Sequence, residues 1–281
     1  MIIDKFTIDG IQFDIPRLGN YGYAVGARPW KGKYDKEHFI IKTVGETFDE
    51  NVLMFAHTPL VIDEVFDQPK FSNPFEKVGI RVLDMPVKFS QSNDCRVPRE
   101  LNQFDEVISK ILSFERHINP NIDLYYAYLT VDQCHISAGK TQRRPGCHIN
   151  GLQTGPYRRP VSRSYVVYDK MPPIFYAQSF DTSYLDEEED NYFLSFDDQA
   201  NEEFAITFDP YNILLTNAYT VHRSDIAAAS CFRTFLRLTF DLYKYDRLGN
   251  TKNPQFNYKW DMVKKTKQGK LKHNNGFESN V

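Results

Sequence analysis

The sequence predicts a mainly β chain built on an antiparallel sandwich or barrel, and three features carry that prediction. Residues 124–131, 164–168, 174–178, 204–208, 212–216 and 233–242 are short runs rich in Tyr, Phe, Val, Ile and Leu, the composition that suits a pleated, half-buried surface. Turn chemistry such as Asn150-Gly151, Pro172-Pro173 and Asp209-Pro210 punctuates them. No helical periodicity is evident between the runs, which points to antiparallel sheets rather than alternating β-α-β units.

Ahead of this region, residues 1–95 read as an N-terminal α/β elaboration packed on the core. Phe6-Thr7-Ile8, Ile11-Gln12-Phe13, Phe39-Ile40-Ile41 and Leu60-Val61-Ile62 are short strands separated by Gly, Pro and Asp. Residues 96–245 form the β core together with a preceding flanking helix. Leu101, Phe104, Val107, Ile108, Ile111 and Leu112 recur at helical spacing between Pro98 and His117, and Asn119-Pro120 ends the pattern. That stripe is expected to pack on the outside of a sheet. Residues 246–281 begin with the turn sequence Asp246-Arg247-Leu248-Gly249-Asn250 and continue as a basic, partly extended tail containing Lys264, Lys265, Lys267, Lys270 and Lys272. No internal repeat is present.

With 281 residues, 41% of them hydrophobic and 25% charged, the chain can bury a sizeable core. A net charge of -3 argues against nucleic-acid binding over the whole surface, so local patches matter more than the sum. The acidic run from Asp186 to Asp190 and the lysine-rich tail both read as solvated segments. No apolar run approaches the roughly 20 residues that cross a bilayer, and Met1-Ile2-Ile3-Asp4-Lys5 lacks the apolar region of a secretory leader. The expectation is an intracellular, cytoplasmic protein without a membrane partner. Cys95, Cys134, Cys147 and Cys231 form no C-x-x-C pair, so reduced thiols are expected.

Chemistry concentrates in Arg143-Arg144-Pro145-Gly146-Cys147-His148-Ile149-Asn150-Gly151, followed later by Val221-His222-Arg223-Ser224 and a strand from Arg233 to Phe240. Residues two apart on an extended segment project to one side, so His148 and Asn150 can address one point. His222 is expected to reach that point from the opposite sheet. Alternation places Arg233, Phe235, Arg237 and Thr239 on one strand face, where two arginines with few polar companions call for an anion. A zinc site built from Cys134-His135 and Cys147-His148 is disfavoured, because adjacent strand residues point to opposite faces and close ligand pairs are absent. His57 and His135 read as core residues.

In the order and spacing of these motifs the chain resembles the iron(II)/2-oxoglutarate-dependent oxygenases over about half its length. The run from Arg144 to Gly151, with Arg233-Thr234-Phe235 after the distal histidine, also looks like a branch found in viral and microbial chains. The resemblance implies a double-stranded β-helix, a jelly-roll or cupin-like barrel. It further implies His148 and His222 as metal ligands, and Arg233 as the anchor of 2-oxoglutarate with Arg237 as second candidate. Position 150, where the family places the iron-binding Asp, is Asn. A neutral carboxamide is a weak oxygen donor, so Asn150 would hold metal less well.

Two functions follow as expectations. The leading one is an Fe(II)/2-oxoglutarate-dependent oxygenase-like protein acting on a nucleotide, nucleic acid or protein. Its rival is a catalytically inactive binding module of the same fold that recognises an anionic ligand, such as a modified nucleotide or an RNA end, and needs no cofactor. A structural assembly protein is a weaker third. No residue is assigned a catalytic role. Arg143, Arg144, Arg158 and Arg159 would form a rim attracting a nucleotide, RNA or an acidic protein segment, with Tyr157 available to stack on a base.

Overall fold

The computed structural model describes residues 2–8, 11–17, 48, 50–54, 56–74, 78–150, 162–186 and 190–264. The expectation of a mainly β chain with antiparallel sheets holds. Among the described residues, eleven strands run β1 Ile2–Ile8, β2 Ile11–Arg17, β3 Leu60–Glu64, β4 Arg81–Lys88, β5 Tyr126–Ile136, β6 Arg163–Tyr168, β7 Ile174–Tyr176, β8 Ala205–Ile206, β9 Asn212–Asn217, β10 His222–Arg223 and β11 Cys231–Asp241. The larger sheet has the order β1-β2-β3-β9-β6-β11-β5-β4, and the smaller one β10-β7-β8. No ladder joins the two sheets among the described residues.

Alternation along the central strands divides the large sheet into two faces. Leu129, Val131, Tyr165, Val167, Ile213, Leu215, Leu236, Leu238 and Phe240 belong to one buried cluster. Val107, Ile108, Ile111 and Leu112 join it from helix α2 (Asp105–Ile118), which follows a 3-10 turn at Arg99–Phe104. The helical stripe therefore packs on the outside of the sheet, as its periodicity predicts. A short helix α1 (Gln68–Ser72) contributes Phe71, which meets Phe104 edge to face at 5.5 Å between ring centroids.

One ion pair is buried within this apolar layer. Arg163 donates from Nε to Glu115 Oε2 at 2.8 Å and from Nη2 to Glu115 Oε1, and Tyr165 Oη donates to Glu115 Oε2 at 2.6 Å. Asn119 Nδ2 adds a bond of 3.0 Å to Oε1. The carboxylate thus ties α2 to β6, and its hydrogen bonds offset the cost of taking two charges out of water.

The remaining strand residues face the other way, toward the small sheet. Val166, Tyr168, Phe175, Leu214 and Phe235 form a second apolar cluster between the sheets. Helix α3 (Tyr192–Gln199) was not expected from the sequence. Its eight residues are too short for periodicity to register, and its start is set locally by the Asn191 side chain, which accepts from Phe193 N at 3.1 Å.

Edge strand β4 was also unassigned by the sequence. It pairs with β5 through two irregularities, one of them between Val82 and Met85, where Asp84 adopts φ +42°. Residues from the C-terminal segment cover that edge. Thr251 N donates to Leu83 O at 2.7 Å, and the buried Asn253 side chain donates to Pro86 O and Arg96 O at 2.8 and 2.9 Å. Phe256, Tyr258 and Trp260 then surround Phe89 with centroid separations of 4.7–5.5 Å. This part of the tail is packed structure, whereas Lys265, Lys267, Lys270 and Lys272 lie outside the described residues. No helix among the described residues is long and apolar enough to cross a membrane.

Candidate functional site

A cavity of about 430 Å³ opens between the sheets. Strand β11 supplies Arg233, Phe235, Arg237 and Thr239 to its wall, the face assigned to them by alternation. Tyr128 and Asp132 come from β5, Ser164 and Val166 from β6, and Thr216 from β9. The opposite wall carries His148, Asn150, Phe175, His222, Tyr192 and Phe193. His148, Asn150, His222, Arg143, Arg144, Arg233 and Arg237, singled out from the sequence, all line this one space. Arg158, Arg159 and Tyr157 lie outside the described residues.

The two histidines are closer kin than the sequence suggested. Instead of reaching in from opposite sheets, they are direct cross-strand neighbours beside the small sheet. His148 N donates to His222 O at 2.9 Å and His222 N to His148 O at 3.0 Å, the reciprocal pair of an antiparallel bridge. Sequence separation cannot reveal this, because the segment around 148 joins β10 only by long-range pairing.

Each imidazole is then fixed by its own backbone. Gly146 takes φ +82°, a turn that glycine makes without steric cost, and its carbonyl accepts from His148 Nδ1 at 3.0 Å. His222 Nδ1 donates in the same way to Thr220 O at 2.9 Å. The hydrogen bonds leave Nε2 of each ring with an available lone pair. Ring centroids are 4.4 Å apart and the planes are inclined by 51°. Burial holds both side chains neutral. It pushes His222 down to about 4 and His148 well below the ordinary imidazole range, with nearby cationic groups adding to the effect.

Position 150 is engaged differently. Arg237 Nη1 donates to Asn150 Oδ1 at 3.1 Å, and its Nη2 donates to Asp84 Oδ1 at 2.8 Å. Asp84 is itself held by Thr130, whose Oγ1 donates to Asp84 Oδ1 at 3.1 Å and accepts from Asp84 N at 3.0 Å. The oxygen of Asn150 therefore faces a guanidinium.

Arg233 is anchored at the far end of the same strand face. Its Nε donates to Lys170 O at 2.6 Å, its Nη2 to Met171 O at 2.8 Å, and its Nη1 to Gln142 Oε1. Three of its five N–H groups are thus used on the described residues. Burial lowers its pKa to about 10, so it stays a cation at neutral pH.

Six arginines line the cavity, against the carboxylates of Asp84 and Asp132. Arg223 is satisfied by Tyr176 Oη at 2.6 Å and Glu202 Oε1 at 2.9 Å. Others are not. Arg143 makes no hydrogen bond among the described residues; Asp132 lies 3.8 Å away, and the guanidinium stands 5.4 Å from the centroid of the Phe235 ring. Arg144 sits over the Phe193 ring at 5.2 Å. The Nε atoms of Arg237 and Arg247 are buried without a partner among the described residues. Burial lowers the pKa of Arg143, with repulsion from Arg237 next, and that of Arg144, with repulsion from Arg247 next.

Sequence reasoning missed Asp84, Gln142, Arg247 and Phe193. Asp84 depends on a bulge in an unassigned strand, and Arg247 on the folding back of a segment read as a plain turn. Neither carried a local signal. His57 is buried as expected, but His135 is exposed on β5. No group of three His, Cys, Asp or Glu side chains able to hold a metal ion occurs among the described residues. No family model matches the chain, and no curated protein matches it either.

Proposed function

We propose that this chain is a double-stranded β-helix protein of the 2-oxoglutarate-oxygenase kind whose cavity serves as a binding site for an anionic organic ligand. The path of the chain supports the fold assignment. From β5 onward, successive extended segments alternate between the two sheets: β5 in the large one, the segment at His148 beside the small one, β6 back in the large one, β7 and β8 in the small, β9 large, β10 small and β11 large. Eight segments wound in this way make the double-sheet arrangement of jelly rolls and cupins.

The observation that carries the binding reading is the bond from Arg237 to Asn150. Position 150 offers a neutral amide oxygen that already accepts from a cation, where an iron site of this kind needs an anionic oxygen. His148 and His222 suit a divalent metal as nitrogen donors, but the third position does not, so the three-ligand iron group does not fit the residues present. The unfilled arginine donors favour an anion instead.

The Fe(II)/2-oxoglutarate-dependent oxygenase acting on a nucleotide, nucleic acid or protein remains the second reading. It is favoured by the Nδ1 bonds that orient both imidazoles, an arrangement typical of metal-binding histidines. Metal analysis of protein purified without chelator, with titration of 2-oxoglutarate and inorganic anions, separates the two. Weak Fe(II) and Mn(II) uptake with salt-sensitive anion binding is expected. Stoichiometric iron together with conversion of 2-oxoglutarate to succinate would overturn the binding-module reading.

A further inference from the structure

We propose, resting on the anion-binding reading above, that the ligand is a phosphate ester carrying two neighbouring phosphate groups. The basis is the arrangement of guanidinium groups. Arg143 lies within repulsive reach of Arg237 and Arg144, Arg233 within reach of Arg143, and Arg144 within reach of Arg247. Arg143, Arg144, Arg233, Arg237 and Arg247 all line the one cavity. Like charges held together in a partly desolvated space cost free energy until an anion neutralises them.

The number of unfilled donors distinguishes phosphate from carboxylate. A carboxylate presents about four lone-pair sites, whereas one guanidinium offers five N–H groups. Arg143 spends none of its own on the described residues, and Arg237 Nε is buried without a partner beside it. A phosphate monoester brings three terminal oxygens and about -1.5 to -2 of charge, a closer match to two converging guanidiniums. Asp84, whose Oδ1 accepts from Arg237 and Thr130, offsets part of the positive charge at this position.

The second group follows from Arg144 and Arg247. Among the described residues, Arg247 carries its own buried, unpartnered Nε, and Arg144 is turned onto the Phe193 ring without a hydrogen bond. One phosphate at Arg143 and Arg237 leaves this pair unsatisfied, and a second phosphate on the same ligand would serve it within the one cavity. The cavity volume of about 430 Å³ falls in the range of sites for small organic ligands. Its walls include Phe175, Phe193 and Tyr245, which can receive the apolar remainder of the ester.

Calorimetric titration of the full chain with pyrophosphate, inorganic phosphate and succinate at constant ionic strength tests the inference. Pyrophosphate should bind about tenfold or more tightly than either of the others, the equivalent of one additional charge-assisted contact. Arg144→Ala should remove most of that advantage, and Arg143→Ala should weaken phosphate and pyrophosphate alike. Circular dichroism checks that each variant is folded, and Arg143→Lys, which keeps the charge but loses the fork, should fall between wild type and Ala. Succinate binding as tightly as pyrophosphate, or an Arg144→Ala protein that keeps the full pyrophosphate preference, overturns this inference and leaves anion binding standing. If none of the three anions binds, the anion-binding reading itself fails.

Discussion

Arg237 donates to Asn150 Oδ1 at 3.1 Å while its second terminal nitrogen bonds Asp84 at 2.8 Å, so one guanidinium links the histidine segment to the bulged edge strand β4. The contact sets a cation against the side chain that the oxygenase resemblance would make a metal ligand. Its consequence can be measured by changing either partner.

Asn150→Asp should raise Mn(II) or Fe(II) uptake, because it places a charged oxygen donor two residues from His148. Arg237 would compete for that carboxylate, so Asn150→Asp combined with Arg237→Gln should bind metal more tightly than the single variant. Uptake is read by metal titration. If neither variant recruits metal while both remain folded, the histidines belong to a pocket shaped for another ligand.

The basic rim should confer salt-sensitive binding of polyanions. Replacing Arg143, Arg144, Arg158 and Arg159 with Ala should weaken binding to RNA and flatten its salt dependence, because fewer counterions are displaced. Truncation provides the control for the lysine-rich tail. The cut belongs after Lys264 rather than Trp260, since Val263 pairs with the segment around Arg247. An unchanged salt slope in the four-arginine variant would show that these residues take no part in polyanion binding.

Glu115→Ala should destabilise the fold severely. Removal of the carboxylate leaves the Arg163 guanidinium buried and uncompensated, at a cost of about 3–5 kcal/mol. Urea unfolding measures the loss. Replacing Glu115 and Arg163 together with Met should cost markedly less than Glu115→Ala alone, and equal losses would show that the charge pair is not the cause.

Acid should weaken the fold through His57. Its Nε2 donates to Val52 O at 3.0 Å and its Nδ1 accepts from Asn217 Nδ2 at 3.2 Å, so the neutral ring is the one that fits. Burial lowers its pKa from 6.5 to about 4. Because the unfolded chain takes up the proton first, the contribution is complete above pH 6.5 and is lost as pH falls through about 4. Its size is on the order of 3 kcal/mol. Urea midpoints recorded between pH 7 and 4 should fall less steeply for His57→Gln than for the wild type, and parallel curves would assign the acid sensitivity elsewhere.

Periodicity and residue chemistry were sufficient to read much of this protein from its sequence. The alternation of Arg233, Phe235, Arg237 and Thr239 against Leu236, Leu238 and Phe240 is a local property of one strand, and it assigned both faces of β11. The stripe on α2 is equally local. His148 and His222 could be paired by order and spacing, though not placed side by side.

Tertiary structure decided what those side chains meet. A bulge in β4 brings Asp84 to Arg237, a backbone bridge sets His148 against His222, and the returning C-terminal segment adds Arg247 to the cavity. Each relationship joins residues from distant parts of the chain, where no sequence period links them. Sequence alone therefore determined which residue types were available and which way many of them face. Long-range pairing and burial determined which donors were satisfied inside the fold and which were left for a ligand.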